Sequence, residues 1–154
     1  MTAGKEDSFT IGRNRLPQWR GNETVYFITW RLDDSSDKMT GAERSLVADV
    51  LKYFNEDRYR LAAYVVMDDH VHVLLLPLPP FSLAKILHSW KSYSAQSINH
   101  LRGVSGTRWQ KDSHTRMIRD ESELHSTLAY IIGNPQKRWP DIKEYKWMEW
   151  FDVI

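Results

Sequence analysis

The sequence has no cysteine, which excludes disulfides, thiolate metal sites and a cysteine nucleophile together. It has no apolar run long enough to cross a bilayer. Residues Met1 to Ser8 lack the apolar stretch of a secretory signal. Net charge is nearly absent as well: 21 Lys and Arg face 20 Asp and Glu, a formal +1. No repeat, low-complexity segment or linker interrupts the 154 residues, a length that suits a single core. The expectation is a cytoplasmic protein without membrane contact, made of a basic arm over residues 1–22 and one domain over residues 23–154.

The balanced total hides a local excess. Between Lys85 and Arg119 stand seven cations (Lys85, Lys91, Arg102, Arg108, Lys111, Arg116 and Arg119) and one acid, Asp112. Arg13, Arg15, Arg20 and Arg31 form a second, smaller cluster. A run of charge is most often a solvated face. Here Trp90, Tyr93 and Trp109 interleave with the cations, a combination that suits the phosphates and bases of a single-stranded nucleic acid. The same tryptophans would serve equally well in a core.

Hydrophobic periodicity predicts the elements. Thr24 to Leu32 reads as a strand, and Thr40-Gly-Ala-Glu43 has the form of a capping box ahead of a helix carrying Leu46, Val47, Val50, Leu51 and Phe54. Tyr59–Met67 and His70–Leu76 read as a hairpin turned at Asp68-Asp69. Ser82 caps a long helix with a stripe of Leu83, Ile86, Leu87, Trp90, Ile98 and Leu101, which stops at Gly103. Arg116 to Arg119 predicts a short strand, and Asp120 starts a last helix that Pro135 ends. The order β-α-β-β-α-β-α predicts an α+β fold: a ferredoxin-like split βαβ arrangement, an antiparallel sheet with helices packed on it.

Two constellations carry chemistry. His70 and His72 lie two apart on a strand, so both imidazoles project to one face and can hold one divalent cation. In a chain with six histidines such a pair also arises by chance. On the last helix, Tyr130 lies off the stripe of Leu124, Leu128 and Ile131, with Asn134 one turn further on the same flank. Either Tyr130 packs at the core margin and Asn134 ends the helix, or the two join the histidines in phosphodiester cleavage. In the second case two imidazoles and the Asn134 carbonyl leave positions open for phosphate oxygens on a metal, and the Tyr130 phenol attacks to form a covalent intermediate. A free phenol ionises only near pH ~10, so such a nucleophile needs activation by a nearby cation.

With these motifs in view, the chain resembles the single-tyrosine HUH transposases, and among them the REP-associated tyrosine transposases of bacteria. The resemblance rests on ordered motifs: Val25–Leu32, Ala63–Leu74 with the histidine pair, Trp90-Lys-Ser followed by Arg108–Asp112, Met117–Glu121, and Tyr130–Pro135. It covers residues 13–150, and the order and spacing are more specific than any one motif. It implies His70, His72 and Asn134 as ligands of Mg²⁺ or Mn²⁺, and Tyr130 as a nucleophile forming a 5′-phosphotyrosine with release of a free 3′-OH. It implies single-stranded hairpin DNA of the REP type as substrate and leaves a homodimer open, with the tyrosine helix acting in cis or in trans. The candidate DNA contacts are Arg13, Arg15, Lys91, Arg108, Lys111, Arg116 and Arg119.

The chain departs from the family in three places. Asp68-Asp69 stands where the hairpin turn resembles Pro-Asn in relatives, and Asp69 either strengthens cation binding or caps the turn. Ser113-His114-Thr115 replaces an aromatic and an acid; His114 either approaches the site or, as the first expectation, lies on a surface loop. Gln136-Lys137-Arg138 replaces Val-Lys. The alternative to an enzyme is a domesticated relative that binds structured DNA or RNA without cutting. A two-histidine phosphoesterase ranks lower, because only one histidine pair is present.

Overall fold

Val25–Arg31 forms strand β1, in which side chains alternate between two covered faces. The computed structural model describes residues 23–151, so the predicted arm with Arg13, Arg15 and Arg20 lies outside the described residues. Thr40 caps helix α1 (Gly41–Tyr53) through the predicted capping box: its hydroxyl accepts the Glu43 N–H, and the Glu43 carboxylate accepts the Thr40 N–H. Strands β2 (Tyr59–Val66) and β3 (His70–Pro77) form the hairpin around Asp68 and Asp69. Helix α2 (Leu83–Arg102) starts at its Ser82 cap and ends at Gly103, whose φ of 68° is the left-handed conformation that glycine adopts without steric cost. Strand β4 (His114–Ile118), helix α3 (Glu121–Arg138) and strand β5 (Met148–Trp150) complete the order.

The sheet runs β4-β1-β3-β2-β5 with every pairing antiparallel. Its first four strands with α1 and α2 form the predicted ferredoxin-like split βαβ unit. On one face, Val47 and Leu51 of α1 and Ile86, Trp90 and Ile98 of α2 pack on Ile28, Trp30, Val71, Val73 and Leu75. On the other, Leu124, Leu128, Ile131 and Ile132 of α3 pack on Val25, Val65, Leu74 and Leu76. A bulge in β2 between Leu61 and Ala63 sends both Ala62 and Ala63 to the α3 side. Their small side chains let the helix lie close to the sheet.

The structure decides one open choice, corrects two expectations and adds one strand. Trp90, as its place in the predicted α2 stripe implied, and Trp109 are core residues and offer no stacking surface. They pack on Trp30 with ring centroids 5.9 and 6.0 Å away, and their indole N–H groups donate to Tyr59 and Ser94. Leu101 is exposed, and Ser94 is the buried member of the α2 stripe, donating to the Trp90 carbonyl at 2.6 Å. Pro135 does not end α3, which continues to Arg138 with Pro135 buried inside it. The proline removes only its own N–H in the final turns, and the ladder resumes when the Trp139 N–H donates to the Pro135 carbonyl at 2.8 Å. Strand β5, which pairs with the edge of β2, was not predicted because three residues are too few to show alternation.

Glu43 connects the two helices of the first face. It is 2% exposed, and the Arg102 guanidinium grips both its oxygens, Nε to Oε2 at 2.6 Å and Nη2 to Oε1 at 2.9 Å. Those bonds hold the Glu43 carboxyl below its ordinary pKa against the opposing effect of burial. Arg102→Ala leaves this carboxylate unpaired and is expected to cost ~3–5 kcal/mol in urea unfolding at neutral pH. Because the folded-state pKa is depressed, the pair contributes fully above the unfolded carboxyl pKa of about 4.3 and fades as pH falls through the lower folded value. The stability gap between wild type and Arg102→Ala should therefore narrow on acidification; a widening gap contradicts the assignment.

Candidate active site

Alternation along β3 places His70, His72, Leu74 and Leu76 on the face that α3 covers, with the two leucines inside the α3 core. The imidazoles occupy the other end of the strand, both buried, with ring centroids 4.7 Å apart. Each ring uses Nδ1 for a protein partner. His72 Nδ1 shares a 2.7 Å hydrogen bond with the Thr29 hydroxyl, and His70 Nδ1 a 2.6 Å bond with Asp69 Oδ1. Nε2 is then the nitrogen that each can present, and in His72 that atom is buried with no hydrogen-bond partner among the described residues. Burial pushes the His72 imidazole down to about 3, with further repulsion from His70 and Arg31. It is therefore neutral at physiological pH, the form that ligates metals.

Helix α3 lays its Leu124, Leu128 and Ile131 stripe on the sheet, and Tyr130 emerges beside it half exposed. The Tyr130 ring lies 5.3 Å from His72 and 6.2 Å from Phe27, edge-on to both, while Phe27 stacks on His72 at 5.4 Å. One turn later Asn134 is buried, and one turn beyond that Arg138 reaches Asp68 Oδ2 at 3.0 Å. The flank Tyr130–Asn134–Arg138 thus runs from His72 to the turn that precedes His70, with Asn134 between those two anchors. Among the described residues no three His, Cys, Asp or Glu side chains converge on a metal position. An Asn carbonyl is an oxygen donor of the kind hard divalent cations accept. Two imidazoles whose Nδ1 atoms are engaged by protein partners, with the His72 Nε2 buried and unpartnered among the described residues, fit a borderline divalent cation.

A cavity of about 400 Å³ opens beside His72, lined by Thr29, His72 and Tyr130 together with Arg31, His114 and Arg116. The register explains the wall: Thr29 pairs with both His72 and His114, and Phe27 with Arg116, so β4 continues the histidine face. His114 is thus the first residue of β4, lining the cavity and not on a surface loop. The signal for this was alternation of His114, Arg116 and Ile118, two residues earlier than the predicted strand start. Thr29 and Arg31, on the histidine face of β1, were likewise readable from the alternation of Val25, Phe27, Thr29 and Arg31. A second concavity of about 390 Å³ between α1 and α2 is predominantly apolar and lies on the opposite face, away from these groups.

The predicted cations divide. Lys111, Arg116 and Arg119 are exposed. Arg116 donates to the Thr127 hydroxyl at 3.0 Å and sits 5.5 Å from the Phe27 ring centre, and Arg119 pairs with Glu123 at 3.1 Å. Arg108 and Lys91 turn inward. Arg108 is buried and bonds Asn99 at 3.0 Å and Ser36 at 2.7 Å. The Lys91 ammonium, its pKa lowered by burial, is held by the carbonyls of Gln110 and Lys111 and the hydroxyl of Ser113. These two position the loop before β4. Arg13 and Arg15 lie outside the described residues.

The IS200-like transposase family model matches residues 24–134. The fold is similar to that of a REP-associated tyrosine transposase bound to a REP hairpin, with a TM-score of 0.62 and 19% identity over 79% of this chain and 73% of the other. It is also similar to a candidate transposase from Deinococcus radiodurans R1, with a TM-score of 0.54 and 20% identity over 74% of this chain and 94% of the other. No curated protein matches the chain in sequence.

Thr29→Val keeps the shape of the side chain but leaves His72 Nδ1 buried without a partner. A loss of ~1–3 kcal/mol is expected in urea unfolding, and an unchanged midpoint would show that the hydroxyl does not support the ring.

Proposed function

The chain belongs to the IS200-like transposases, and from that premise we propose that it cuts and rejoins single-stranded hairpin DNA with Tyr130 as nucleophile. The observation that carries the reading is the meeting, within one chain, of the Tyr130 ring and His72 at 5.3 Å beside an open cationic cavity. The REP hairpin held by the similar structure supports a hairpin substrate here.

In this reading the Tyr130 oxygen attacks the scissile phosphorus and the bond from phosphorus to the 3′ oxygen breaks. The phenolic proton passes to solvent, the 3′ oxygen leaves as a hydroxyl after taking a proton, and the 5′ phosphate stays on Tyr130. The phosphotyrosine conserves the bond for rejoining. His70, His72 and Asn134 would hold Mg²⁺ or Mn²⁺, which when bound neutralises charge on the phosphate oxygens. Thr29 and Asp69 keep the two imidazoles aimed, as outer partners of ligating histidines do. Phe27 meets the Tyr130 ring edge-on at 6.2 Å, and both residues line the cavity. Arg31 and Arg116 at the cavity wall, continued by Lys111 and Arg119, meet the DNA backbone as point charges and forks. Tyr130 acts on its own histidines, so the chemistry does not require a second copy.

Hairpin DNA incubated with the protein and Mn²⁺ should yield a covalent adduct on a denaturing gel, retained on the DNA segment 3′ to the cut and absent in Tyr130→Phe. Undiminished cleavage by Tyr130→Phe refutes the nucleophile, and firm hairpin binding without any adduct supports the non-cleaving alternative. Arg31→Ala should weaken hairpin binding at all sequences and reduce the slope of log affinity against log salt by about 1. An unchanged slope would remove Arg31 from the backbone contacts.

A further inference from the structure

The turn between β2 and β3 presents two adjacent acids, Asp68 and Asp69, and both meet Arg138 on the last turn of α3. Arg138 Nη2 lies 3.0 Å from Asp68 Oδ2, and Nη1 lies 3.8 Å from Asp69 Oδ2. The other oxygen of Asp69 holds His70 Nδ1 at 2.6 Å. One guanidinium is therefore connected, through a single carboxylate, to a histidine of the site. Through two turns of its own helix it is connected to Asn134 and Tyr130.

The setting favours a role in positioning. Asp68 is largely buried, with 14% of its side chain exposed and Oδ1 without a hydrogen-bond partner among the described residues. A buried carboxylate left in that state depends on its one strong partner. The apolar contacts of α3 run from Leu124 to Ile132 and Pro135, with Trp139 packed just beyond the helix, but such contacts are non-directional and hold the helix on the sheet more firmly than they fix its rotation. Pro135 removes one backbone hydrogen bond from the last turns of α3. Arg138 adds a directional, charged tie to that segment.

We propose that Arg138, clamped by Asp68 and Asp69, is a positioning residue that locks the nucleophile helix to the histidine strand and so sets the alignment of Tyr130 with the His70–His72 pair. The proposal rests on the reading of Tyr130 and the histidines given above. It assigns the Asp68-Asp69 pair a function in the reaction that cation binding and turn capping do not describe. Asp69 acts in both directions, orienting His70 by one oxygen and drawing in the helix by the other.

The test is a double-mutant cycle in the full chain, with Asp68→Asn, Arg138→Gln and the pair together, read in two ways. Without DNA or metal, hydrogen exchange at residues 136–139 should quicken in each variant. In single-turnover reactions with hairpin DNA and Mn²⁺, each single variant should form the Tyr130 adduct about tenfold more slowly. The double variant should be no slower than either single. Hairpin affinity measured without metal should stay unchanged, and Arg138→Lys, which keeps a cation facing Asp68, should recover part of the rate. Independent, multiplicative losses in the double variant overturn the lock, as does a fall in affinity parallel to the fall in rate, which would make Arg138 a DNA contact. Unchanged exchange in Arg138→Gln overturns it also. Wild-type protein that forms no adduct refutes the Tyr130 reading instead, and the exchange measurement still decides the lock.

Discussion

Everything in the candidate site depends on the two-residue repeat of one strand. The face of β3 that carries Leu74 and Leu76 into the α3 core is the face that carries His70 and His72. A slip of one residue in the pairing of β3 would move the leucines out of the core and the imidazoles to the opposite side together. The apolar contacts that hold α3 on the sheet therefore also bring Tyr130 beside His72. Packing and chemistry share one register, and the stability of the first guards the geometry of the second.

That economy is matched by a division of polar work between the two faces. On the α1 and α2 side the polar groups are spent inside the protein. Arg102 holds Glu43, Arg108 holds Asn99 and Ser36, and Trp90, Tyr59, Trp109 and Ser94 satisfy one another. On the α3 side several polar residues line a cavity: Arg31, His114, Arg116 and Tyr130. His72 stands beside them as a neutral base because burial first, and then repulsion from His70 and Arg31, disfavour its protonation. A buried imidazole nitrogen with no hydrogen-bond partner among the described residues is costly unless something occupies it, which supports the proposed ligand role.

Much of this was legible in the sequence because it rests on local rules. The capping box at Thr40 and Glu43, the Ser82 cap, the Gly103 stop and the alternation in Val25–Arg31 and His70–Pro77 each follow from backbone chemistry within a few residues. The His70–His72 pair and the Tyr130–Asn134 flank follow from the periods of strand and helix. What was hidden is what depends on partners distant along the chain. Arg108 and Lys91 carry the same charges as Arg116, and only the fold shows that the first two bond Asn99, Ser36 and the loop carbonyls. Trp90 was readable as core from its place in the α2 stripe, whereas Trp109, in no periodic element, could not be told from a stacking residue until Trp30 was seen against it. Pro135 obeys its local rule, since its hydrogen bond is lost, yet burial against the sheet carries the helix past it. The clamp between Arg138 and the Asp68–Asp69 turn joins residues 70 positions apart, a distance at which charge pairing leaves no sequence signal.

The central claim is that Tyr130 works with the histidines of its own chain. It is tested most directly by mixing two inactive variants, one carrying Tyr130→Phe with both histidines intact and the other carrying His70→Ala and His72→Ala with Tyr130 intact. Each is incubated alone and together with hairpin DNA and Mn²⁺, alongside wild type. The account predicts a covalent adduct from wild type and none from either variant or from their mixture. An adduct restored by mixing would show a tyrosine helix serving a partner's histidines and would contradict it.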